Sequence, residues 1–280
     1  MKVHLTDLLE GLNQIAPFAL AESWDNVGLL IGDPGREITS LLVGLDPSLS
    51  LLDEAIGRGI DTIVTHHPCI FRPLSTVNLT TPDGLFLERA LAYKVNVIAC
   101  HTNFDSAEAG VSDVLCDSLG VESVRPLRAM AGSENKKTGL GRIGTYTKPL
   151  SFTDFMQRVS QTVASENVQV AGNPPAEIKT VALCGGSGSD LAEEAYKQGA
   201  DIYLSAEIKH STAVWAADTG FCVIDATHYG TEKPAMLLLA QNIESHARKN
   251  DWDIAICQTE TEKSPFTHIS IKNYIKSLSR

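Results

Sequence analysis

The sequence predicts an α/β protein built from two related halves, each a mostly parallel sheet covered by helices. Three observations lead there. Strand-like runs rich in Val, Ile and Leu alternate with helix-like runs along the whole chain, the pattern of successive β-α-β units. One such unit recurs 140 residues further on without a gap. Of the 280 residues, 43% are hydrophobic, which supplies the core of one large or two small domains.

Met1 to Leu20 alternates charged and apolar residues and lacks a signal-peptide core. Ser23-Trp24-Asp25-Asn26-Val27-Gly28 is polar and aromatic where a plain connection needs neither, and reads as a segment that closes over a site. The first unit runs from the strand Ile38-Thr-Ser-Leu-Leu-Val43 through a helix to Gly59-Ile-Asp61-Thr-Ile-Val-Thr65. Pro68 to Asp83 carries Pro68, Pro73 and Pro82 and reads as a long loop. A strand over Val95 to Cys100 and a helix from about Ser106 follow. Arg125 to Lys148, with Gly132, Ser133, Gly139, Gly141 and Gly144, is the expected crossing, which puts the halves at 1–127 and 128–280.

The second unit, Ile178-Lys-Thr-Val-Ala-Leu183, a helix, then Gly199-Ala-Asp201-Ile-Tyr-Leu-Ser205, repeats the first with Gly59/Gly199 and Asp61/Asp201 in register. The next strands match as well. Val97-Ile-Ala-Cys-His101-Thr-Asn-Phe-Asp105 lies against Val223-Ile-Asp-Ala-Thr-His228-Tyr-Gly-Thr-Glu232, and both read histidine, three residues, acid. This predicts an internal duplication.

No apolar run approaches the roughly 18 to 20 residues of a membrane span, so a cytoplasmic location is expected. A formal charge of −11, without a Lys/Arg cluster among aromatics, argues against nucleic-acid binding and leaves room for a lone nucleotide. Cys69, Cys100, Cys116, Cys184, Cys222 and Cys257 show no paired spacing and read as reduced, structural residues.

The chemistry gathers at strand ends. His66 and His67 follow the strand ending at Thr65, and Pro68 then breaks regular structure, so they lie where open parallel sheets bind ligands. Adjacent side chains on a strand diverge, so the pair more easily reaches two ions than chelates one. Asp105 falls at the same sheet edge, as a ligand or as a helix N-cap. His228 ends the Val223–Ala226 strand, and Glu232 is expected in the first turn of the helix through Met236. There it either answers the helix dipole or bridges metals.

Three imidazoles and two carboxylates suit Zn, Fe(II), Mn or Co, and five ligands are too many for one catalytic ion. Two divalent ions ~3.5–4 Å apart accommodate them. His101 is a candidate for orienting a ligand or, with Glu207, for proton transfer; His210 is a weaker candidate, and His4, His246 and His268 read as core or surface residues. Cys184-Gly185-Gly186-Ser187-Gly188-Ser189-Asp190 is either a phosphate-cradling loop or a tight packing turn, for it lacks the P-loop lysine.

Trp24-Asp25-Asn26-Val27-Gly28, Thr65-His66-His67-Pro68, His101-Thr102-Asn103-Phe104-Asp105, Gly139-Leu140-Gly141-Arg142-Ile143-Gly144 and His228-Tyr229-Gly230-Thr231-Glu232 together resemble the GTP cyclohydrolase I type-two homologue family, also called Nif-three-like, in order over nearly the whole chain. The resemblance implies a two-domain Nif-three-like fold, a toroidal homohexamer, and a dinuclear centre at His66, His67, Asp105, His228 and Glu232. It also implies the short form, without a domain inserted between the halves. The expected function is metal-dependent hydrolysis of a nucleotide-like substrate, with GTP ring opening the named version. The alternative is a non-catalytic metal-binding or regulatory ring protein.

Overall fold

The computed structural model describes residues 1–132, 136–267 and 269; His268 and Ser133 lie outside them. The chain opens with β1 (Val3–His4), α1 (Leu5–Ile15), β2 (Gly28–Ile31) and β3 (Glu37–Ile38). The first repeated unit is β4 (Ser40–Gly44), α2 (Leu49–Gly57) and β5 (Thr62–Thr65). Then come α3 (Pro82–Ala92), β6 (Asn96–Ala99), α4 (Thr102–Ser106) and α5 (Val111–Leu119). Next are β7 (Glu122–Ala129), β8 (Gly139–Ser151), α6 (Phe152–Val163) and β9 (Gln169–Ala171). The second unit is β10 (Glu177–Ser187), α7 (Ala192–Lys197) and β11 (Ile202–Ala206). The described elements close with α8 (His210–Thr219), β12 (Cys222–Asp225), α9 (His228–Glu232), α10 (Ala235–Lys249) and β13 (Ala255–Gln258).

The fold is α/β, with helices packed on two large sheets beside a two-stranded antiparallel ribbon of β1 and β3. The first sheet has the order β13-β4-β5-β6-β2, parallel except for β2. The second, β7-β8-β10-β11-β12-β9, departs from the mostly parallel expectation. Only β10-β11-β12 is parallel, and β7, β8 and β9 join antiparallel. The parallel strands are the ones whose continuous apolar runs need cover on both faces. Successive residues of a strand enter different cores accordingly: Leu41 and Leu42 on β4, Val181 and Ala182 on β10. Helix α5 joins the layers, giving Val111 to the core under β4 and Leu115 and Leu119 to the core under β10.

The two units share several equivalent bonds, although the pairing of β10 with β11 shifts register after Leu183. Leu41 pairs with Thr62 as Val181 pairs with Ile202. The Asp61 carboxylate accepts the Thr39 amide at 2.7 Å, and Asp201 accepts the Lys179 amide at 2.8 Å. The turn amides of Ile60 and Ala200 reach the carbonyls of Ala55 and Ala195 at 2.8 and 3.1 Å.

The segment from Arg125 to Lys148 is not the loose crossing its glycines suggest, for most of it lies in the antiparallel pair β7 and β8. Gly139 and Gly144 serve close approach: a Cβ on Gly139 would sit 2.2 Å from the Arg128 carbonyl, and one on Gly144 2.6 Å from that of Glu122. Strand β7 crosses position 127 and pairs within the second sheet, while β13 returns from the C-terminal side to the first.

Arg142 on β8 is fully buried and ties this hairpin to the site-bearing segment. Its guanidinium grips Asp113 through two bonds of 2.7 Å and donates to the carbonyls of Ala107, Gly139 and Gly141. Such a planar, always charged donor cannot be withdrawn without stranding its acceptors. Arg142→Ala is expected to remove about 3 kcal/mol of stability, the low end for a broken buried pair because Asp113 keeps some water. Urea unfolding checks this.

Candidate metal centre

The carboxyl ends of β5, β6, β11 and β12 converge, and the side chains beyond them meet in one cluster. His66 and His67 prolong β5, their amides bonding the carbonyls of Gly44 and Leu45. The His66 ring is buried, with Nδ1 2.8 Å from the Cys100 carbonyl. A carbonyl only accepts, so that nitrogen carries the proton and Nε2 offers its lone pair to the cluster. His67 Nδ1 meets the Asp46 carboxylate at 2.7 Å, which likewise turns Nε2 inward.

Helices α4 and α9 bring the acids. His101 precedes α4 and Asp105 lies inside it, its amide bonded to the His101 carbonyl at 3.0 Å. Asp105 is therefore not an N-cap. Glu232 is not in the first turn of the helix through Met236 either, for it ends the separate helix α9, and α10 begins at Ala235. Thr227, held at φ +68°, starts α9 and caps it by accepting the Gly230 amide. Four residues apart on that helix, His228 and Glu232 share a face, with Nε2 2.9 Å from Oε2.

The five predicted ligands sort into two triads through the two oxygens of Glu232. His66 Nε2 lies 3.6 Å from Asp105 Oδ1 and 3.6 Å from Glu232 Oε1. His67 Nε2 and His228 Nε2 face Glu232 Oε2 at 3.1 and 2.9 Å, and each other at 3.2 Å. In each triad the donor atoms lie within 4.8 Å of one another. His66 Nε2, Asp105 Oδ1 and Glu232 Oε2 are buried without a hydrogen bond of good geometry. Buried polar atoms left so are costly unless something of opposite polarity sits between them. The donor set fits divalent cations of the zinc and iron type.

Electrostatics agree. Burial lowers the His67 pKa, but Asp46 and Glu232 outweigh it and hold the ring up at about 10. For His228 burial is outweighed by Glu232 and Glu207, to about 9. Glu232 is desolvated, yet His66, His228 and His67 hold its carboxyl well below the usual range, whereas burial pushes Asp105 up.

His101 also belongs here, forming a third group with His66 and His67, and its Nδ1 is held by Asp25 at 2.8 Å. Asp25 has no exposed side-chain surface. Burial raises its pKa, but bonds from His101, Thr102 and the Asn26 amide bring it far below the ordinary value. Glu207, in the left-handed region at φ +51°, holds His228 Nδ1 at 2.8 Å. So each of the four imidazoles has an acceptor on Nδ1 and shows Nε2 to the cluster, the arrangement that orients metal-ligating histidines. Sequence reasoning missed Asp46 and assigned Asp25 no specific role. The available signal was a carboxylate just past the end of β4, at the edge His67 occupies. His210 is exposed at the start of α8 and belongs to none of the clustered groups.

The glycine loop acts by close packing at its first two positions. The amides of Gly185 and Gly186 donate to Ser112 and Thr231, so neither is free for a phosphate. A Cβ on Gly186 would lie 2.0 Å from Glu232 Oε1. Ser187 and Gly188 continue into a cavity of about 540 Å³ that opens on His67, His101, His228 and Glu232, with Trp24, Phe71 and Arg128 on its walls. The Trp24 and Phe71 rings stand edge to face, 5.8 Å apart. The six cysteines are free, and burial pushes the Cys69, Cys100 and Cys184 thiols up to about 12, which keeps them from serving as thiolates.

An α/β fold whose strand ends gather imidazoles and carboxylates able to hold metal defines the class of protein. Within it, the chain belongs to the DUF34/NIF3 family (NGG1p interacting factor 3), which it matches over residues 3–265. A relative from Streptomyces coelicolor named GTP cyclohydrolase 1 type 2 homolog is 33% identical over 94% of this chain and 93% of its own length. One of the same name from Clostridium acetobutylicum is 28% identical over 95% and 99%. Among solved structures, a Staphylococcus aureus hypothetical protein, 28% identical, superposes with a TM-score of 0.87 over 95% of this chain and 99% of that one. Reduced HcgD from Methanocaldococcus jannaschii, 27% identical, does so at 0.78 over 93% and 99%. Among the described residues no helix is long and apolar enough to cross a membrane.

Gly186→Ala is expected to displace Glu232, because the added methyl group meets its carboxylate in a left-handed backbone position at φ +62°. Elemental analysis of the purified variant should show less bound metal than wild type, at a stability loss of about 1–3 kcal/mol.

Proposed function

We propose that this chain holds two divalent cations per subunit, of Zn, Fe or Mn, and hydrolyses a nucleotide-like substrate beside them. The carrying observation is the division of Glu232: one oxygen faces His66 and Asp105, the other His67 and His228. A paired cation centre would acidify water and stabilise negative charge developing on the substrate. His101, fixed through Nδ1 by Asp25, presents Nε2 for proton transfer at the cavity wall. Glu207, by its bond to His228, positions a ligand and is exposed enough to exchange protons with solvent. Trp24 and Phe71 offer aromatic faces to a planar base, and Arg128 with the Ser187–Gly188 edge is the place for phosphate.

This reading includes an internal duplication behind the corresponding units and a cytoplasmic, toroidal homohexamer. The exposed Phe71, Leu74, Val77 and Leu79 of the Pro68–Asp83 loop support self-association, as apolar side chains of one exposed loop. Light scattering is expected to give six times the 30.2 kDa chain mass; a monomer mass would remove the ring.

Elemental analysis of protein purified without added metal should find two ions per chain, and that sample should turn over GTP, another nucleotide or a phosphoester faster than His66→Ala does. Two bound ions with no turnover would instead favour a metal-binding or regulatory ring. Chelation is expected to lower the thermal midpoint, because ligand binding to the folded state is lost.

Metal uptake should release protons. In the metal-free chain the His67 and His228 pKa values are about 10 and about 9, so both rings are protonated at neutral pH and must become neutral to coordinate. Apparent affinity should therefore rise with pH up to that range and fall on acidification. Calorimetry in buffers of different ionisation enthalpy measures the protons released.

A further inference from the structure

Among the described residues beyond β13, Glu262 contacts the segment after β4 and the end of α9. Its side chain is 6% exposed. Oε1 accepts the backbone amides of Leu45 and Asp46, both at 2.8 Å, and Oε2 takes the Lys233 ammonium. The Glu262 carbonyl accepts the Tyr229 hydroxyl at 3.2 Å. These partners adjoin one triad: Asp46 holds His67 Nδ1, the Leu45 carbonyl takes the His67 amide, Tyr229 follows His228, and Lys233 follows Glu232. His66 depends on a different support, the Cys100 carbonyl, and Asp105 sits on α4. Just past Glu262, Ser264 to Phe266 wall a second cavity of about 240 Å³ that also opens on His67 and His228.

We infer that Glu262 is a positioning residue for the His67–His228–Glu232 half of the centre, clamping the end of β4 to α9 so that these nitrogens and Glu232 Oε2 stay within reach of one cation. The inference rests on the metal-pair reading. A carboxylate that accepts two amides and an ammonium makes charge-assisted bonds, stronger than neutral ones, and its removal leaves two part-buried amides unsatisfied. The Leu45–Asp46 turn would then relax, and the Asp46 bond that sets the His67 ring would relax with it.

Glu54 provides a control, because its contacts fall just before Glu262 in the chain. Glu54 holds the same segment by accepting the hydroxyls of Thr259 and Thr261 at 2.5 and 2.8 Å, and among its described bonds none goes to Asp46 or α9. Cobalt(II) titration of the metal-free full-length chain, followed by visible ligand-field absorption and by elemental analysis, reads both ions. Wild type is expected to hold two. Glu262→Ala should weaken one of them roughly ten- to hundredfold and alter its absorption bands while the other is unchanged. Glu262→Gln, which keeps an oxygen for the two amides, should fall between, and Glu54→Gln should match wild type.

Both ions held by Glu262→Ala at wild-type affinity would overturn the inference, as would equal metal loss in Glu54→Gln, which would make the effect general tethering. Should Glu262→Ala not fold, Glu262→Gln decides, and wild-type affinity there overturns it. A wild-type chain that takes up no cobalt sinks the metal-pair reading itself, and the clamp with it.

Discussion

The structure turns on one carboxylate pressed among imidazoles. Glu232 is buried at the meeting point of two sheets, with only 3% of its surface exposed. Its neighbours His66, His67 and His228 each have Nδ1 already committed to an acceptor, so their remaining nitrogens converge on its oxygens. The positive φ at Thr227 and the missing side chain at Gly186 both serve to bring that carboxylate so close. An arrangement with this many inward-facing lone pairs is stable only around positive charge, whether protons on the rings or cations among them.

The two β-α-β units reach this point with similar backbones and different side chains. Each third strand is followed by a histidine and, in the next short helix, an acid: His101 and Asp105, His228 and Glu232. Each of those histidines is held by a carboxylate on Nδ1, from Asp25 in one case and Glu207 in the other. After the second strand the units diverge. Where the first places His66 and His67, the same offset of 140 in the second reaches Ala206 and Glu207. One half thus gives two inward imidazoles, and the other gives a support for a neighbouring ring.

Much of this was legible in the chain. Apolar runs bounded by Gly59 and Gly199 mark the parallel strands, and parallel strands put their C-terminal residues at a shared edge, so His66, His67, Asp105, His228 and Glu232 could be gathered without coordinates. Arg125 to Lys148 was harder, because glycine marks both a loop and a close backbone approach, and the neighbour that distinguishes them is distant in sequence. The glycines at 185 and 186 pose the same ambiguity. Only the partners of their amides, Ser112 and Thr231, separate a packing turn from an anion cradle.

The sequence alone determined the α/β class and the identity of the clustering side chains, because strand periodicity and strand-end chemistry are local properties. Tertiary structure decided which Glu232 oxygen faces which histidines, that Asp46 and Asp25 orient rings 21 and 76 residues away, and that Glu262 reaches back 217 residues to Leu45. Those are through-space relations, set by how β4, α9 and the segment after β13 pack, and no local pattern encodes them.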